Sequence, residues 1–110
     1  MDRVTLGKTG ITVCRNGFGA LPIQRIGKED AAYLVRKAYE NGVNFFDTAR
    51  AYTDSEEKLG YATSSFRDKI YIATKTAAKN GEDLKKDLRE SLLTKYKYSN
   101  LSGIDFVSIY

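Results

Sequence analysis

An aspartate and a lysine stand at the ends of two apolar runs in this sequence. Asp47 closes the run Val43–Asp47, and Lys75 closes the run Ile70–Lys75, so each run predicts a buried strand that ends in a charged residue. Because burying an unpaired charge is costly, the two side chains are expected to face each other at neighbouring strand ends. Tyr52 follows in the loop after Asp47. An acid, a base and a phenol in this arrangement predict a reaction site, and the alternative is a salt bridge beside a tyrosine that only packs.

Strands and helices alternate along the chain behind an initial β-hairpin. The hairpin is predicted over residues 1–14, where two β-prone runs flank a glycine-bounded turn, and βα units are predicted over residues 15–110. Such alternation indicates an α/β fold with a parallel sheet, whose chemistry lies at the carboxyl ends of the strands. About four βα units would form half of a (β/α)8 TIM barrel. A flavodoxin-like sheet is the alternative topology, although its usual phosphate loop is missing from the sequence.

Three helices are predicted between these strands. The first begins near Lys28 and ends at Asn41-Gly42, the second covers Ser55 to Ala62, and a leucine repeat marks the third. Two overlapping capping boxes precede the second helix, so Ser55 and Glu56 are interpreted as capping residues without a catalytic role. The apolar face predicted for the first helix consists of Ala31, Leu34, Val35 and Ala38, and that of the third consists of Leu84, Leu88 and Leu92. A turn is predicted from Asn100 to Gly103.

Composition narrows the possible functions. A chain of 110 residues with 42% hydrophobic and 29% charged residues fits one modest globular domain. No apolar stretch approaches the roughly 20 residues of a membrane span, and no signal peptide opens the chain, so a cytoplasmic location is expected. The net charge of +4 suits an anionic partner, but no nucleic-acid-binding module accompanies it. With no histidine and one cysteine, Cys14, no metal site is predicted, and Cys14 is expected to be a small buried residue.

The segment Asn44–Gly60, which contains Asp47 and Tyr52, strongly resembles the signature of the aldo-keto reductases. The resemblance covers the whole chain: Leu6–Gly10 is similar to the family's N-terminal hairpin, and Ile72–Lys75 is similar to its third barrel strand. The segment following Ala20 is similar to a bacterial, ferredoxin-fused branch whose members often carry an iron–sulphur domain. No cysteine motif for such a cluster occurs in this sequence.

The resemblance implies a barrel that transfers hydride from NADPH, with NADH as the alternative, to a small aldehyde or ketone. Tyr52 would then be the general acid, Lys75 would lie beside its hydroxyl, and Asp47 would pair with Lys75 near the nicotinamide ribose. A phenol normally has a pKa of about 10, and a neighbouring ammonium stabilises the phenolate, so these roles agree with the chemistry of the side chains. The other cofactor-binding residues that the resemblance implies are Gly19, Ala20 and Leu21.

The chain departs from the family pattern at its fourth catalytic residue. That residue is a histidine, which the resemblance places a few positions beyond Tyr110, and the residues that bind the adenosine belong to later strands. The expectation is therefore an N-terminal fragment of a reductase that is weak or inactive by itself. Two alternatives stay open: a non-catalytic regulatory module, and a half-barrel that self-associates through open sheet edges.

Overall fold

The structure is a computed structural model that describes residues 2–92 and 104–109. Strands and helices alternate behind a hairpin, as the sequence predicts. Short 3-10 turns at Leu21–Arg25 and Arg67–Lys69 precede α1 and β5. The strands are β1 (Arg3–Thr5), β2 (Thr12–Cys14), β3 (Phe18–Gly19), β4 (Phe45–Asp47), β5 (Tyr71–Thr76) and β6 (Phe106–Ile109), and the helices are α1 (Lys28–Glu40), α2 (Ser55–Thr63) and α3 (Gly81–Leu92). The turn predicted at 100–103 lies outside the described residues.

The strands β3 to β6 form one parallel sheet whose spatial order follows the chain order. Consecutive order is that of a barrel wall, whereas a flavodoxin-like sheet begins with an exchanged pair, so the barrel prediction is confirmed over the flavodoxin-like alternative. Gly19 lies opposite Asp47, and Asp47 lies opposite Ala73. This register brings the carboxyl ends of β3, β4 and β5 to one edge.

The hairpin β1–β2 is antiparallel, as predicted, and it is attached at the other end of the sheet. The amide N–H of Cys14 donates a hydrogen bond of 2.7 Å to the Asn44 side chain, just before β4. Cys14 is buried, which confirms its predicted role as a small packed residue. The hairpin therefore lies beside the amino end of β4, opposite the end that carries Asp47.

The core lies between the sheet and the helices α1 and α2. Phe46 and Ile72 point into it from β4 and β5, and both are fully buried. The face predicted for α1 is partly wrong, because Leu34 is 46% exposed while Ala32 is fully buried. The helix turns the stripe Ala31, Ala32 and Val35 inward because α2 covers that side.

The predicted leucine face of α3 is also partly wrong. Leu84 and Leu88 are half-buried, but Leu92 is 44% exposed, and the buried residue of this helix is Ser91. Polar contacts attach α3 to the sheet: the Thr76 hydroxyl at the end of β5 donates to Asp87. Helix α3 therefore belongs to the layer that surrounds the carboxyl end of β5.

No helix among residues 2–92 and 104–109 combines the length and apolar character needed to cross a membrane.

Gly42 links α1 to β4 with a φ of 102°, a value that side chains rarely adopt. We expect Gly42→Ala to lower the free energy of unfolding by about 1 kcal/mol or more, because alanine is strained in this conformation. Gly81→Ala is the control: a Cβ at this first residue of α3 meets no atom within 4 Å, and alanine favours the helix. Urea denaturation compares the two variants. Equal losses in the free energy of unfolding would contradict the requirement for glycine at position 42.

Candidate active site

Lys75 and Asp47 form an ion pair at the carboxyl ends of β5 and β4. The Nζ of Lys75 lies 2.6 Å from Oδ2 of Asp47, and it also donates to the carbonyl oxygen of Thr48 at 2.9 Å. Asp47 lies opposite Ala73, and Ala73 and Lys75 point to the same face of β5 because they are two residues apart. The predicted pairing of the two charges is confirmed. Exposures of 22% for Lys75 and 41% for Asp47 leave the pair accessible from solvent.

Tyr52 lies beside this pair, in the loop that joins β4 to α2. The Nζ of Lys75 is 5.2 Å from the centroid of the Tyr52 ring, within the range of a cation–π contact. The ring is half-buried, and its backbone is fixed by hydrogen bonds from the Tyr52 amide to Ala49 and from the Ser55 amide to Tyr52. The structure thus brings carboxylate, ammonium and phenol to one rim of the sheet. The ammonium lies over the ring, whereas the resemblance implied a place beside the hydroxyl.

Thr53, the residue after Tyr52, has a strained backbone. Its φ is 42°, and a β-branched residue in the left-handed region is a true outlier. The Thr53 hydroxyl donates to the side-chain oxygen of Gln24 at 2.9 Å, so the strained residue is tied to the 3-10 turn that follows β3. Strain of this kind persists only where surrounding contacts enforce it, and it concentrates at functional sites.

The three residues predicted to line a cofactor together with Asp47 differ in what they present. Gly19 is exposed, and a Cβ there would meet no atom within 4 Å; Leu21 is 43% exposed. Ala20 is fully buried, its amide donates to the carbonyl of Asp47 at 2.7 Å, and its own carbonyl accepts from Ser55. Gly19 and Leu21 therefore offer surface to a ligand, while Ala20 anchors the segment between them. Their role in binding a cofactor stays a prediction.

The prediction that Ser55 and Glu56 cap α2 is wrong. Asp54 is the N-cap residue, and its side chain makes no capping hydrogen bond. Both Ser55 and Glu56 are buried, because their side chains turn into the layer between α2 and the sheet. The Ser55 hydroxyl donates to the carbonyl of Ala20 at 2.8 Å, which leaves the Thr48 hydroxyl as the donor in the 2.8 Å contact between them.

Glu56 is the residue that the sequence interpretation missed. It accepts hydrogen bonds from Thr74 and Ser91 and lies 2.6 Å from Nη1 of Arg50. A usable signal was present in its spacing: Glu56 stands three residues before the buried Leu59, which places it on the inward stripe of α2. A charged residue on that stripe indicates a buried ion pair rather than a cap.

The described residues, 2–92 and 104–109, contain no group of three metal-ligating side chains that could hold an ion.

Comparisons with known proteins identify the class. The Aldo/keto reductase family model matches residues 15–109, and the chain belongs to this family. It is 37% identical over 102 residues to the L-galactose dehydrogenase of Arabidopsis thaliana, a match covering 79% of this chain and 32% of that protein. A structure assigned to an aldo-keto reductase of Pseudomonas aeruginosa superposes with a TM-score of 0.84 at 27% identity, covering 97% of this chain and 45% of the other.

A third comparison concerns the fold. The holo form of an aldo-keto reductase of Bacillus halodurans has a TM-score of 0.75 at 24% identity, and the match covers 99% of this chain and 40% of that one. The chain therefore spans a third to just under half of the length of these relatives. This confirms the predicted fold class, an α/β segment that corresponds to the N-terminal part of a TIM barrel.

The buried hydroxyl of Ser55 connects α2 to the strand ends at the site, because it contacts both the Thr48 hydroxyl and the Ala20 carbonyl. We expect Ser55→Ala to lower the free energy of unfolding by about 1–3 kcal/mol, because the carbonyl of Ala20 loses its donor in a buried setting. Ser64→Ala is the matched control: the Ser64 hydroxyl also donates to a carbonyl, that of Tyr61, but Ser64 is exposed, so its loss should stay within about 0.5 kcal/mol. Thermal and urea unfolding of both variants measure the difference. An unchanged free energy of unfolding in Ser55→Ala would contradict a stabilising role for the hydrogen bond to Ala20.

Proposed function

We propose that this chain carries the proton-donating part of an NAD(P)H-dependent aldo-keto reductase active site that reduces small aldehydes or ketones. The observation that supports it most directly is the Lys75–Asp47 ion pair with the Tyr52 ring 5.2 Å from the ammonium. NADPH, or NADH, would supply the hydride when it is bound. Family membership supports an oxidoreductase, and the roles of the individual residues are our proposal.

In this proposal Tyr52 donates its phenolic proton to the carbonyl oxygen of the substrate. The positive charge of Lys75 stabilises the phenolate that remains, because an opposite charge nearby favours the charged form. Asp47 holds Lys75 in place through the 2.6 Å contact. The backbone carbonyl of Thr48 takes a second hydrogen bond from the same ammonium, so its position is fixed from two sides.

In this proposal a nicotinamide ring and ribose bind on the surface beside these residues. Gly19 lies opposite Asp47 in the sheet and offers open space, and Leu21 presents an apolar surface at the same rim. An apolar wall with a few convergent polar groups is the usual composition of a cofactor site. Gly19, Leu21 and Asp47 would hold the ring and ribose, with Ala20 keeping the segment in position.

The chain contains no histidine, so the fourth catalytic residue implied by the family resemblance is not in it. We therefore expect the 110-residue chain by itself to reduce carbonyl compounds poorly or not at all. A steady-state assay with NADPH and 4-nitrobenzaldehyde tests this expectation. Turnover within about one order of magnitude of a whole aldo-keto reductase would contradict it.

The residue roles are tested on a chain completed by the complementary part of the Pseudomonas aeruginosa barrel, fused after residue 110. Tyr52→Phe is expected to lower kcat by about 10²–10⁴-fold, the range of a general acid, and Lys75→Met is expected to lower it as well. Tyr33→Phe is the control, since Tyr33 is 63% exposed on α1. Equal kcat values for Tyr52→Phe and Tyr33→Phe in an active fusion would refute the assignment of the acid.

Self-association of the chain is a second candidate that one observation favours. Among the described residues β3 and β6 are the outer strands of the parallel sheet, and Val107 on β6 is 42% exposed. An exposed apolar outer strand pairs readily with another chain.

If two copies associate through β6, sedimentation should show a concentration-dependent dimer. Val107→Lys should weaken this dimer, because charge on an edge strand opposes pairing. Leu34→Lys is the matched control, because Leu34 is equally apolar and 46% exposed but lies on α1. A monomer at all concentrations, or equal effects of both variants, would remove this candidate.

A location in the cytoplasm and a lack of nucleic-acid partners stay predictions from the sequence.

A further inference from the structure

Glu56 is a buried carboxylate that has no role in the proposed reaction. Its exposed fraction is 2%, and it contacts side chains from three other parts of the fold. Thr74 on β5 donates to Oε2 at 2.7 Å, Ser91 on α3 donates to Oε1 at 2.9 Å, and Nη1 of Arg50 lies 2.6 Å from Oε1. We refer to these four residues as the Glu56 cluster.

The cluster balances one buried negative charge with one positive charge. The Arg50 atom Nη1 is itself enclosed, and its contact with Glu56 is an ion pair rather than an aligned hydrogen bond, so Coulomb attraction holds it. The hydroxyls of Thr74 and Ser91 donate one hydrogen bond to each carboxylate oxygen, Oε2 and Oε1 respectively. Removing the charge of Glu56 leaves the guanidinium of Arg50, whose side chain is 29% exposed, without its carboxylate partner.

Two of these partners lie close to the proposed catalytic residues along the backbone. Thr74 directly precedes Lys75, and the two side chains point to opposite faces of β5. The amide of Arg50 donates to the carbonyl oxygen of Lys75 at 3.0 Å, and Arg50 lies between Asp47 and Tyr52 in the loop. The cluster thus lies on the helix side of the strand and the Asp47–Lys75 pair on the other.

The loop carrying Tyr52 is held at both ends. Hydrogen bonds from the amides of Thr48 and Arg50 to carbonyls of β5 extend the β4–β5 pairing into the loop, and Ser55 binds the far end. The ion pair between Arg50 and Glu56 closes the loop on itself, because Arg50 precedes Tyr52 and Glu56 follows it. This contact therefore spans the segment that carries the phenol.

We infer that Glu56 is a positioning residue, which sets Tyr52 against Lys75 by anchoring Arg50 on one side and Thr74 on the other. The inference deepens the proposed reductase function and rests on it. Glu56 acts through its neighbours, so it is predicted to change the geometry of the site rather than to touch a substrate.

Tyrosine Cζ resonances report this geometry without any cofactor. The chain is labelled with ¹³Cζ-tyrosine, and the Tyr52 signal among the eight tyrosines is identified by its loss in Tyr52→Phe. Glu56→Gln keeps the size of the side chain and removes its charge, which leaves Arg50 unpaired. We expect the Tyr52 signal to move from its position in the parent chain, while that of Tyr39, stacked on Phe66 at 4.0 Å, stays in place.

Asp105→Asn is the matched control. Asp105 pairs with Nη2 of Arg67 at 2.9 Å and accepts the amide of Ile72, so it is an ion pair attached to the opposite end of the same strand. It should leave the Tyr52 signal unmoved. If Glu56→Gln fails to fold, Ser91→Ala takes its place. This variant keeps the ion pair between Arg50 and Glu56 and removes one hydrogen bond to Glu56, so it should move the Tyr52 signal by a smaller amount.

An unmoved Tyr52 signal in a folded Glu56→Gln chain, or in Ser91→Ala if Glu56→Gln is unfolded, would overturn the inference. An equal movement in Asp105→Asn would overturn it too, because the effect would then be general destabilisation. The result is separable from the proposed function. A moved signal together with an inactive completed barrel would refute the reductase proposal and leave the positioning role standing.

Discussion

The contact between Lys75 and Asp47 requires two strands to end at the same edge of a sheet with a fixed register. Asp47 is aligned with Ala73, so Lys75 extends past the end of β4, and its side chain reaches back to place Nζ 2.6 Å from Oδ2 of Asp47. A shift of one residue would turn Lys75 to the helix face of β5, because side chains alternate along a strand. The register of β4 and β5 is therefore the constraint on which the site depends, and the core fixes it through Phe46 and Ile72, which lie opposite each other.

Polar groups on both faces of β5 reinforce this register. On one face Lys75 binds Asp47 and Thr48, and on the other Thr74 binds Glu56. Thr76 extends the pattern by binding Asp87 on α3. Buried or half-buried polar groups cost free energy unless each has a partner, so alternative arrangements of these strands would leave several groups unsatisfied. The polar layer thus selects one arrangement, while the apolar core supplies most of the driving force.

The loop between β4 and α2 combines strain with dense anchoring. Thr53 is held at a φ of 42° directly after Tyr52, and its hydroxyl reaches Gln24 in the turn after β3. Lys58, buried on α2, donates to the carbonyls of Ile23 and Gln24 and extends the same connection. The rim beside Gly19 and the loop that carries the phenol are therefore one connected unit. A change in the turn after β3 would be transmitted to the neighbourhood of Tyr52 through the hydrogen bond between the side chains of Gln24 and Thr53.

The sequence by itself determined the alternation of strands and helices, the parallel sheet, the stop at Gly42 and the pairing of Asp47 with Lys75. These follow from elementary rules: apolar runs predict strands, glycine permits a positive φ, and opposite charges at neighbouring strand ends pair because an unpaired charge there is costly. The tertiary structure alone decided which face of α1 is buried. The apolar periodicity of this helix fits a buried stripe that contains either Leu34 or Ala32, and only the position of α2 selects between them. The tertiary structure also decided the role of Glu56, because a capping motif and a buried ion pair can involve the same residues at the start of a helix. Arg50, Thr74 and Ser91 meet Glu56 only after the loop before α2, strand β5 and helix α3 have packed against α2.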